Sequence, residues 1–286
     1  MHTTISDGSE PPEVVLARVK EAGIGIFSVT DHDSVLAGRI LPPLLDGEEL
    51  RFIPGVEFSC RDEEGQYHIL GYGFDPDHPA VVAVVELGHG YRMNKVRARL
   101  DFLRTQFGFS FPEEELAELL ARPNPGKPHI ANLMVKLGYA GSKEEAMSRY
   151  IDRLRFRSEY VRPEEAIRGI LAAGGIPVLA HPSYGNGSQL ILGGDMDRRI
   201  RRLREFGLRG LEAYYSGFTK KLRDELLSFA GTYGMYVTAG SDYHGANKLV
   251  ELGDTGLSEV SDWPEGLRRF LRDVEKGPAK REKETP

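Results

Sequence analysis

Short apolar runs that contain a charged residue or a histidine, in most cases near their end, recur along the chain. Six of them are IGIFSVTDHD, RFIPGVEFS, YHILGYGFD, IPVLAHPS, GLEAYY and MYVTAGSDYH. Runs of this kind, bounded by polar tips, are typical of buried parallel strands with function at their carboxyl ends. Helical stretches such as PEEAIRGILAAGG and KKLRDELLSFAGTYG precede two of them. The repeated order of helix, strand and polar tip predicts an α/β fold, either a barrel or a doubly wound sheet.

One long stretch interrupts this order. From about residue 75 to residue 160 the pattern is helical, with stretches such as HIANLMVKLGY and SKEEAMSRYIDRL and no clear strand. We therefore predict a helical insertion, residues 76–160, between two strands of a catalytic domain formed by residues 1–75 and 161–276. The helical insertion would cap the site. The charged tail, residues 277–286, is predicted to be disordered.

Composition excludes several classes of protein. The 286 residues carry a net charge of −6 at a pI of about 5.8, which argues against a surface that coats nucleic acid broadly. Cys60 is the single cysteine, so no internal disulfide can form, and this fits a reducing cytoplasm. No apolar run approaches the roughly 18 residues that span a membrane. We expect a cytoplasmic protein without a membrane partner or an obligate protein partner.

Histidines and carboxylates gather at the predicted strand tips and in the first residues. They are His2 and Asp7 in HTTISDG, His32 in TDHD, Glu57 in GVEFS, His68 in HILGYG, His181 in AHP, and Asp242 and His244 in GSDYH. Imidazole together with carboxylate suits Zn²⁺, Mn²⁺ or Fe²⁺. The set exceeds what one ion needs, so we predict two or three divalent ions with a carboxylate as bridge.

Clustered divalent ions favour one reaction above others. Together they bind phosphoryl oxygens, lower the pKa of a bridging water and stabilise the leaving oxygen of an in-line displacement. Hydrolysis of a phosphate ester is the natural interpretation, and hydrolysis of an amide stays open at this kind of site.

The motifs resemble those of a known family. HTTISDG, TDHD, GVEFS, HILGYG, AHP and GSDYH, in this order over residues 2 to about 258, resemble the PHP (polymerase and histidinol phosphatase) superfamily of metal-dependent phosphoesterases. The resemblance implies a distorted (β/α)7 barrel, built from seven strands, with metal ligands at the carboxyl ends of the strands. It also implies a phosphoric ester hydrolase.

The resemblance implies a ligand set as well. One ion would be held by His2, Glu57 and Asp242, a second by the bridging Glu57 with His68 and His181, and a third by Asp7, His32 and His244. The family usually begins with a strand that ends in Asp-Leu-His-x-His, and Met1 occupies the x position here. We therefore predict that the chain starts several residues upstream, with a strand that ends in His-Met-His.

Within the superfamily, the helical insertion resembles a subgroup that includes phosphatases of 3′,5′-bisphosphate nucleotides and 5′-3′ exonucleases of short RNA. The resemblance implies that the insertion supplies cations for the substrate's phosphates. The predicted substrate-binding residues are Arg92, Arg97, Lys127, His129 and Tyr184. For Arg92 and Arg97 a solvated helix face is the alternative, and Tyr184 could stack on a base or cover the mouth of the barrel.

The predicted mechanism uses a hydroxide that bridges the ions and attacks phosphorus in line. His181 or Asp242, the two predicted catalytic residues, would protonate the leaving oxygen. The substrate would be a nucleotide or a short oligonucleotide. Three alternatives stay open: a phosphatase of small molecules such as histidinol phosphate, a PHP module that binds metal without hydrolysis, and an amide or lactone hydrolase.

Overall fold

The computed structural model describes residues 1–47, 49–155, 159–185, 189–257, 259–274 and 276. The predicted disordered tail, residues 277–286, lies outside the described residues. Seven strands are present in this part of the chain: β1 (Ile26–Phe27), β2 (Arg51–Phe52), β3 (Gly55–Asp62), β4 (Gly65–Tyr72), β5 (Ile176–Leu179), β6 (Gly210–Tyr215) and β7 (Tyr236–Gly240).

Helices separate most of these strands. They are α1 (Pro12–Glu21), α2 (Ala37–Ile40), α3 (Pro79–Phe107), α4 (Glu113–Leu120), α5 (Lys127–Lys136), α6 (Lys143–Glu145), α7 (Pro163–Ala172), α8 (Gly193–Glu205), α9 (Lys220–Thr232) and α10 (Glu265–Val274). None of the described helices combines the length and the apolar composition needed to cross a membrane. The mixed α/β fold predicted from the sequence is confirmed.

The sheet is not parallel throughout, which differs from a simple repeat of strand and helix. β3 to β7 form one sheet in chain order, in which β3, β4 and β5 pair antiparallel and β5, β6 and β7 pair parallel. Only Glu63 and Glu64 separate β3 from β4. Because a parallel pair needs a crossover of about a dozen residues or more, this short turn forces a hairpin. β1 and β2 form a separate parallel pair.

Two large hydrophobic clusters account for most of the buried apolar side chains. The first lies between the five-stranded sheet and helices α7 to α10, where Ile170, Val178 and Leu211 are fully buried. The second lies within residues 96–151 and contains Leu103 and Met134. A smaller cluster joins α1 to β1. Between residues 76 and 155 the described residues form helices and turns without a strand, as the sequence pattern predicted.

Truncation of a side chain in the second cluster tests how much it stabilises the fold. Leu103 is fully buried, so we expect Leu103→Ala to lower the free energy of unfolding by about 2–5 kcal/mol, from lost transfer energy and the cavity left behind. Urea denaturation followed by circular dichroism measures this value. Val135→Ala on the same bundle is the control, because Val135 is 37% exposed and should change stability by less than about 1 kcal/mol. Equal losses in both variants would contradict the prediction.

Candidate metal centre

The first eight residues fold back on themselves and bring two polar side chains to one place. The Gly8 N–H donates to the Thr3 carbonyl (2.9 Å), and a Cβ at residue 8 would lie 2.3 Å from the His2 carbonyl oxygen, so only glycine fits this turn. The buried Asp31 carboxylate accepts from the Thr3 N–H (2.8 Å) and fixes the loop against the end of β1. His2 and Asp7 therefore face the same space.

Six further side chains reach this space. His68 lies on β4 and Glu57 on β3, while the other four follow the ends of strands: His32, His181, Asp242 and His244. The structure thus brings together all eight residues that were predicted as metal ligands.

Glu57 lies at the middle of the group and is almost fully buried. Its Oε2 is 2.9 Å from His2 Nε2, and its Oε1 is 2.7 Å from His68 Nδ1 and 3.2 Å from His181 Nε2. Burial acts to raise the pKa of the Glu57 carboxyl, but the surrounding imidazoles, first His68 and then His32, hold it well below its ordinary range. The carboxylate is therefore ionised and shared between several donors.

Two other sets of ligand atoms adjoin Glu57. His2 Nε2 is 3.2 Å from Asp242 Oδ1, and His244 Nε2 is 3.3 Å from Asp7 Oδ1. The rings of His2 and His244 stack with centroids 4.1 Å apart. In three groups the potential ligand atoms all lie within 4.8 Å of one another: His2, Asp7, His32 and His244; His32, Glu57 and His68; and His2, Glu57 and Asp242.

The protonation states fit a cation site. Burial lowers the pKa of His32 to about 4, so its imidazole is neutral, which is the form that binds metal. For His2, burial is outweighed by hydrogen bonds to Asp242 and Glu57, which raise its pKa to about 10. Without a cation, His2 thus carries a proton between two carboxylates. Among the described residues, the buried Nδ1 atoms of His32 and His181 have no hydrogen-bond partner. Imidazole and carboxylate donors in this arrangement suit divalent ions.

Backbone strain is concentrated at the centre. In the described part of the chain, three residues other than glycine have a positive φ: Asp33 (49°), His181 (28°) and Asp242 (56°). Such conformations cost free energy and persist where the surroundings enforce them, often at functional sites. Here they turn the chain sharply at the ends of strands and aim His181 and Asp242 at the centre.

Three residues near the centre were not predicted from the sequence. The buried Glu212 on β6 accepts from the His181 N–H (2.8 Å), and burial raises its pKa to about 7. The sequence feature that could have indicated Glu212 is the presence of a carboxylate inside the apolar run GLEAYY. The Lys248 ammonium donates a hydrogen bond to Asp242 Oδ2, and the Asn247 amide donates to the Asp7 carbonyl (2.9 Å). These two follow the GSDYH motif on a loop, where no periodic pattern marks them.

Four of the predicted substrate-binding residues have defined partners. The Arg92 guanidinium donates to Asp33 Oδ2 (2.6 Å), and Asp33 directly follows the predicted ligand His32. His129 Nδ1 accepts from a backbone N–H at the start of α5, and burial lowers its pKa to about 4. Lys127 pairs with Asp152 (2.9 Å), and Tyr184 donates to the Gly217 carbonyl (2.7 Å).

Arg97 differs from the other predicted substrate-binding residues. Its side chain is exposed on α3. Its contact with substrate stays a prediction.

A cavity of about 280 Å³ opens onto the centre and is partly covered by the helical insertion. Pro128, Lys143 and Met147 line it from the insertion, opposite the predicted ligands. Lys143 Nζ is 3.0 Å from Asn247 Oδ1, and the Asn124 amide donates to the His32 carbonyl. The insertion therefore contacts the centre directly.

The sequence aligns with several relatives over most of its length. No protein-family model matches the sequence. The chain is 30% identical over 262 residues to the 5′-3′ exoribonuclease Rnm of Escherichia coli, an alignment that covers 88% of this chain and 86% of that protein. It is 28% identical to a phosphoribosyl 1,2-cyclic phosphate 1,2-diphosphodiesterase of Eggerthella lenta (86% and 92% covered). It is 24% identical to a 3′,5′-nucleoside bisphosphate phosphatase of Chromobacterium violaceum (96% and 94% covered).

A solved structure shows the same fold. A protein of Bifidobacterium adolescentis assigned as a metal-dependent phosphoesterase superposes with a TM-score of 0.81 at 23% identity, over 95% of this chain and 94% of that one. The fold, the clustered ligands and the 30% identical relative agree with the resemblance of the motifs. The chain therefore belongs to the PHP superfamily of metal-dependent phosphoesterases.

Proposed function

We propose that the protein hydrolyses phosphate esters of nucleotides, at the 5′ end of short RNA or in a 3′,5′-bisphosphate nucleotide. The observation that carries this proposal is the position of Glu57, whose carboxylate lies within 3.2 Å of three imidazoles at the middle of eight potential ligands. The relatives that act on RNA and on bisphosphate nucleotides support the choice of substrate.

The residues fit two or three divalent ions, Mn²⁺, Zn²⁺ or Fe²⁺. His2, Glu57 and Asp242 would hold one, Glu57 with His68 and His181 a second, and Asp7, His32 and His244 a third. Divalent ions in such a group supply positive charge to phosphoryl oxygens and lower the pKa of water.

The protein's own side chains would orient the phosphate and move protons. Arg92 and Lys143 border the ligands and offer donors to phosphate oxygens that do not react. The leaving oxygen would receive its proton from His181, in a state in which the imidazole is protonated and holds no ion, or from Asp242 Oδ2, which would first have to take up a proton. The Tyr215 hydroxyl (3.1 Å) and Lys248 both contact that Asp242 oxygen and would keep it aimed at the cavity.

We propose that residues 1–75 and 161–276 form the distorted seven-stranded barrel and that residues 76–160 form its cap. Backbone bonds outside the regular strands support a closed ring. The His2 N–H donates to the Tyr243 carbonyl (2.8 Å) after β7, and the Thr30 N–H donates to the Met1 carbonyl (2.9 Å) after β1. The separate hydrophobic cluster of residues 96–151 supports the cap.

The test measures phosphate or nucleotide release with added Mn²⁺, Zn²⁺ or Fe²⁺. The substrates are 3′-phosphoadenosine 5′-phosphate, a short 5′-phosphorylated RNA and histidinol phosphate. Turnover of the first or second, abolished by a chelator and restored by metal, is the expected result. Preference for histidinol phosphate would favour a small-molecule phosphatase, and bound metal without turnover of any phosphate ester would favour a non-hydrolytic module. Either outcome contradicts the proposal.

Glu212 is expected to act as a positioning residue through His181. Glu212→Ala removes the acceptor of the His181 N–H and should lower kcat about 10- to 100-fold, the usual range for residues that orient metal ligands. Glu212→Gln keeps an acceptor oxygen and should retain activity within about threefold of the unmodified protein. Steady-state kinetics and metal content measure both. Equal losses in the two variants would show that charge, rather than the hydrogen bond, is what matters.

A further inference from the structure

Three cations lie on one face of α3. Arg92, Lys95 and Arg99 are spaced by three and four residues, so they follow one another along the helix, and all three are partly buried. Arg97, on the same helix, is exposed. The side of α3 that the protein covers therefore carries a row of positive charge.

Within the described part of the chain, only the first of these cations forms an ion pair. Arg92 pairs with Asp33 and its guanidinium also reaches the Ser59 hydroxyl (3.3 Å). Among the described residues, neither Lys95 nor Arg99 forms an ion pair with a carboxylate. Lys95 Nζ instead lies 3.5 Å from the centre of the Tyr160 ring. Two cations of the row are thus available to an anion.

The row is desolvated, which makes it different from a solvated helix face. Burial, followed by the charge of Arg92, lowers the pKa of Lys95 to about 7. Burial also lowers the pKa of Arg99. Asp33 favours the charged form of Lys95, and Asp152 that of Arg99, but neither carboxylate forms an ion pair with these cations. Charges that have lost water and are only partly compensated raise the energy of the free protein. An arriving anion would complete the compensation, so the row favours negatively charged ligands.

The row begins at the metal centre and leads away from it. Arg92 bonds Asp33, which directly follows the ligand His32. At about 1.5 Å of rise per residue, the helix carries the charges over about 10 Å from residue 92 to residue 99. A stacked strand advances about 3.4 Å per nucleotide, so the row is longer than one nucleotide step.

We propose that Arg92, Lys95 and Arg99 form a track for the uncleaved phosphates of an oligonucleotide, with Tyr160 as an aromatic surface beside it. This inference rests on the proposed function and narrows it to chains longer than a single bisphosphate nucleotide. A positive groove with an aromatic side chain is the general way in which proteins bind single strands without reading their sequence.

The test compares substrates of different length. In the Lys95→Met/Arg99→Gln variant we expect KM for a 5′-phosphorylated octanucleotide to rise about 10-fold or more, with kcat nearly unchanged. KM for 3′-phosphoadenosine 5′-phosphate should stay within about twofold. The salt dependence of the octanucleotide KM should also weaken by about one unit of slope per lost contact, which a purely structural role would not produce.

Arg104→Gln is the matched control, since Arg104 is an exposed arginine of the same helix, and it should change neither KM. An equal rise of KM for both substrates, or no rise for either, overturns the track. Thermal unfolding of the double variant checks the fold. Lys95→Met keeps most of the apolar length of the side chain beside Tyr160, so Tm should not fall.

If the unmodified protein cleaves neither substrate, the proposed function fails. Fluorescence anisotropy with a labelled octanucleotide then decides on the track alone, and equal affinity of the double variant and the control would overturn it.

Discussion

Replacing Glu57 with Gln is expected to lower kcat by about 10³-fold or more and to reduce the amount of bound metal. Gln has the same shape but lacks the charge, and Glu57 contributes to two of the proposed ion sites at once. Ions in such a centre provide several kcal/mol of stabilisation to the charged transition state, and about 1.4 kcal/mol corresponds to a factor of ten in rate. Steady-state kinetics and elemental analysis of the purified variant measure the two effects.

Glu63→Gln is the control for this change. Glu63 immediately follows β3, the strand of Glu57, but its side chain is 72% exposed and pairs with Arg162 at the surface. We expect it to leave kcat and metal content within about twofold of the unmodified protein. A Glu57→Gln variant that kept its metal and most of its rate would contradict the central position given to this carboxylate.

Replacing Asp242 with Asn is expected to lower kcat by about 10²- to 10³-fold. Asp242 has a φ of 56°, and Asn is one of the few residues that adopt this conformation readily, so the backbone should be preserved. The change removes the negative charge that faces His2 Nε2 and the Lys248 ammonium. The loss should therefore come from the chemistry of the centre rather than from misfolding.

The measurement combines kinetics, metal content and thermal unfolding. Asp101→Asn, on the exposed side of α3, is the control and should behave like the unmodified protein. An Asp242→Asn variant with normal kcat would remove Asp242 from the centre. A large fall in Tm together with the loss of activity would assign Asp242 a structural role instead.

The grouping of the predicted ligands was largely predictable from local sequence because they occur in short motifs, although Glu57 and His68, predicted at strand ends, lie within β3 and β4. Glu57, His181 and Asp242 each stand at or near the end of an apolar run, and the ends of neighbouring strands meet in one place. Their convergence followed from the α/β pattern, without knowledge of a single distance. The His predicted upstream of Met1 stays a prediction.

Other features depend on contacts that a local pattern does not contain. The β3–β4 hairpin was overlooked because both strands fitted the order of a parallel sheet, although the two-residue turn at Glu63 and Glu64 decides otherwise. Lys95 was not predicted, because the sequence alone did not show which side of α3 is covered. In the sequence, Glu212 is only one residue of a predicted strand. Its role depends on the hydrogen bond that it accepts from the backbone N–H of His181, 31 residues earlier in the chain.

The separate hydrophobic cluster of residues 96–151 has a consequence for how such enzymes diversify. Pro128, Lys143 and Met147 face the cavity from helices that pack mainly on one another, whereas the ligands are held by the strands. Mutations at these three cavity-facing positions can accumulate without repacking the strands that hold the ligands. Selection in nature, or a library randomised at these three positions, would then alter which molecules are accepted while the hydrolytic step is inherited unchanged.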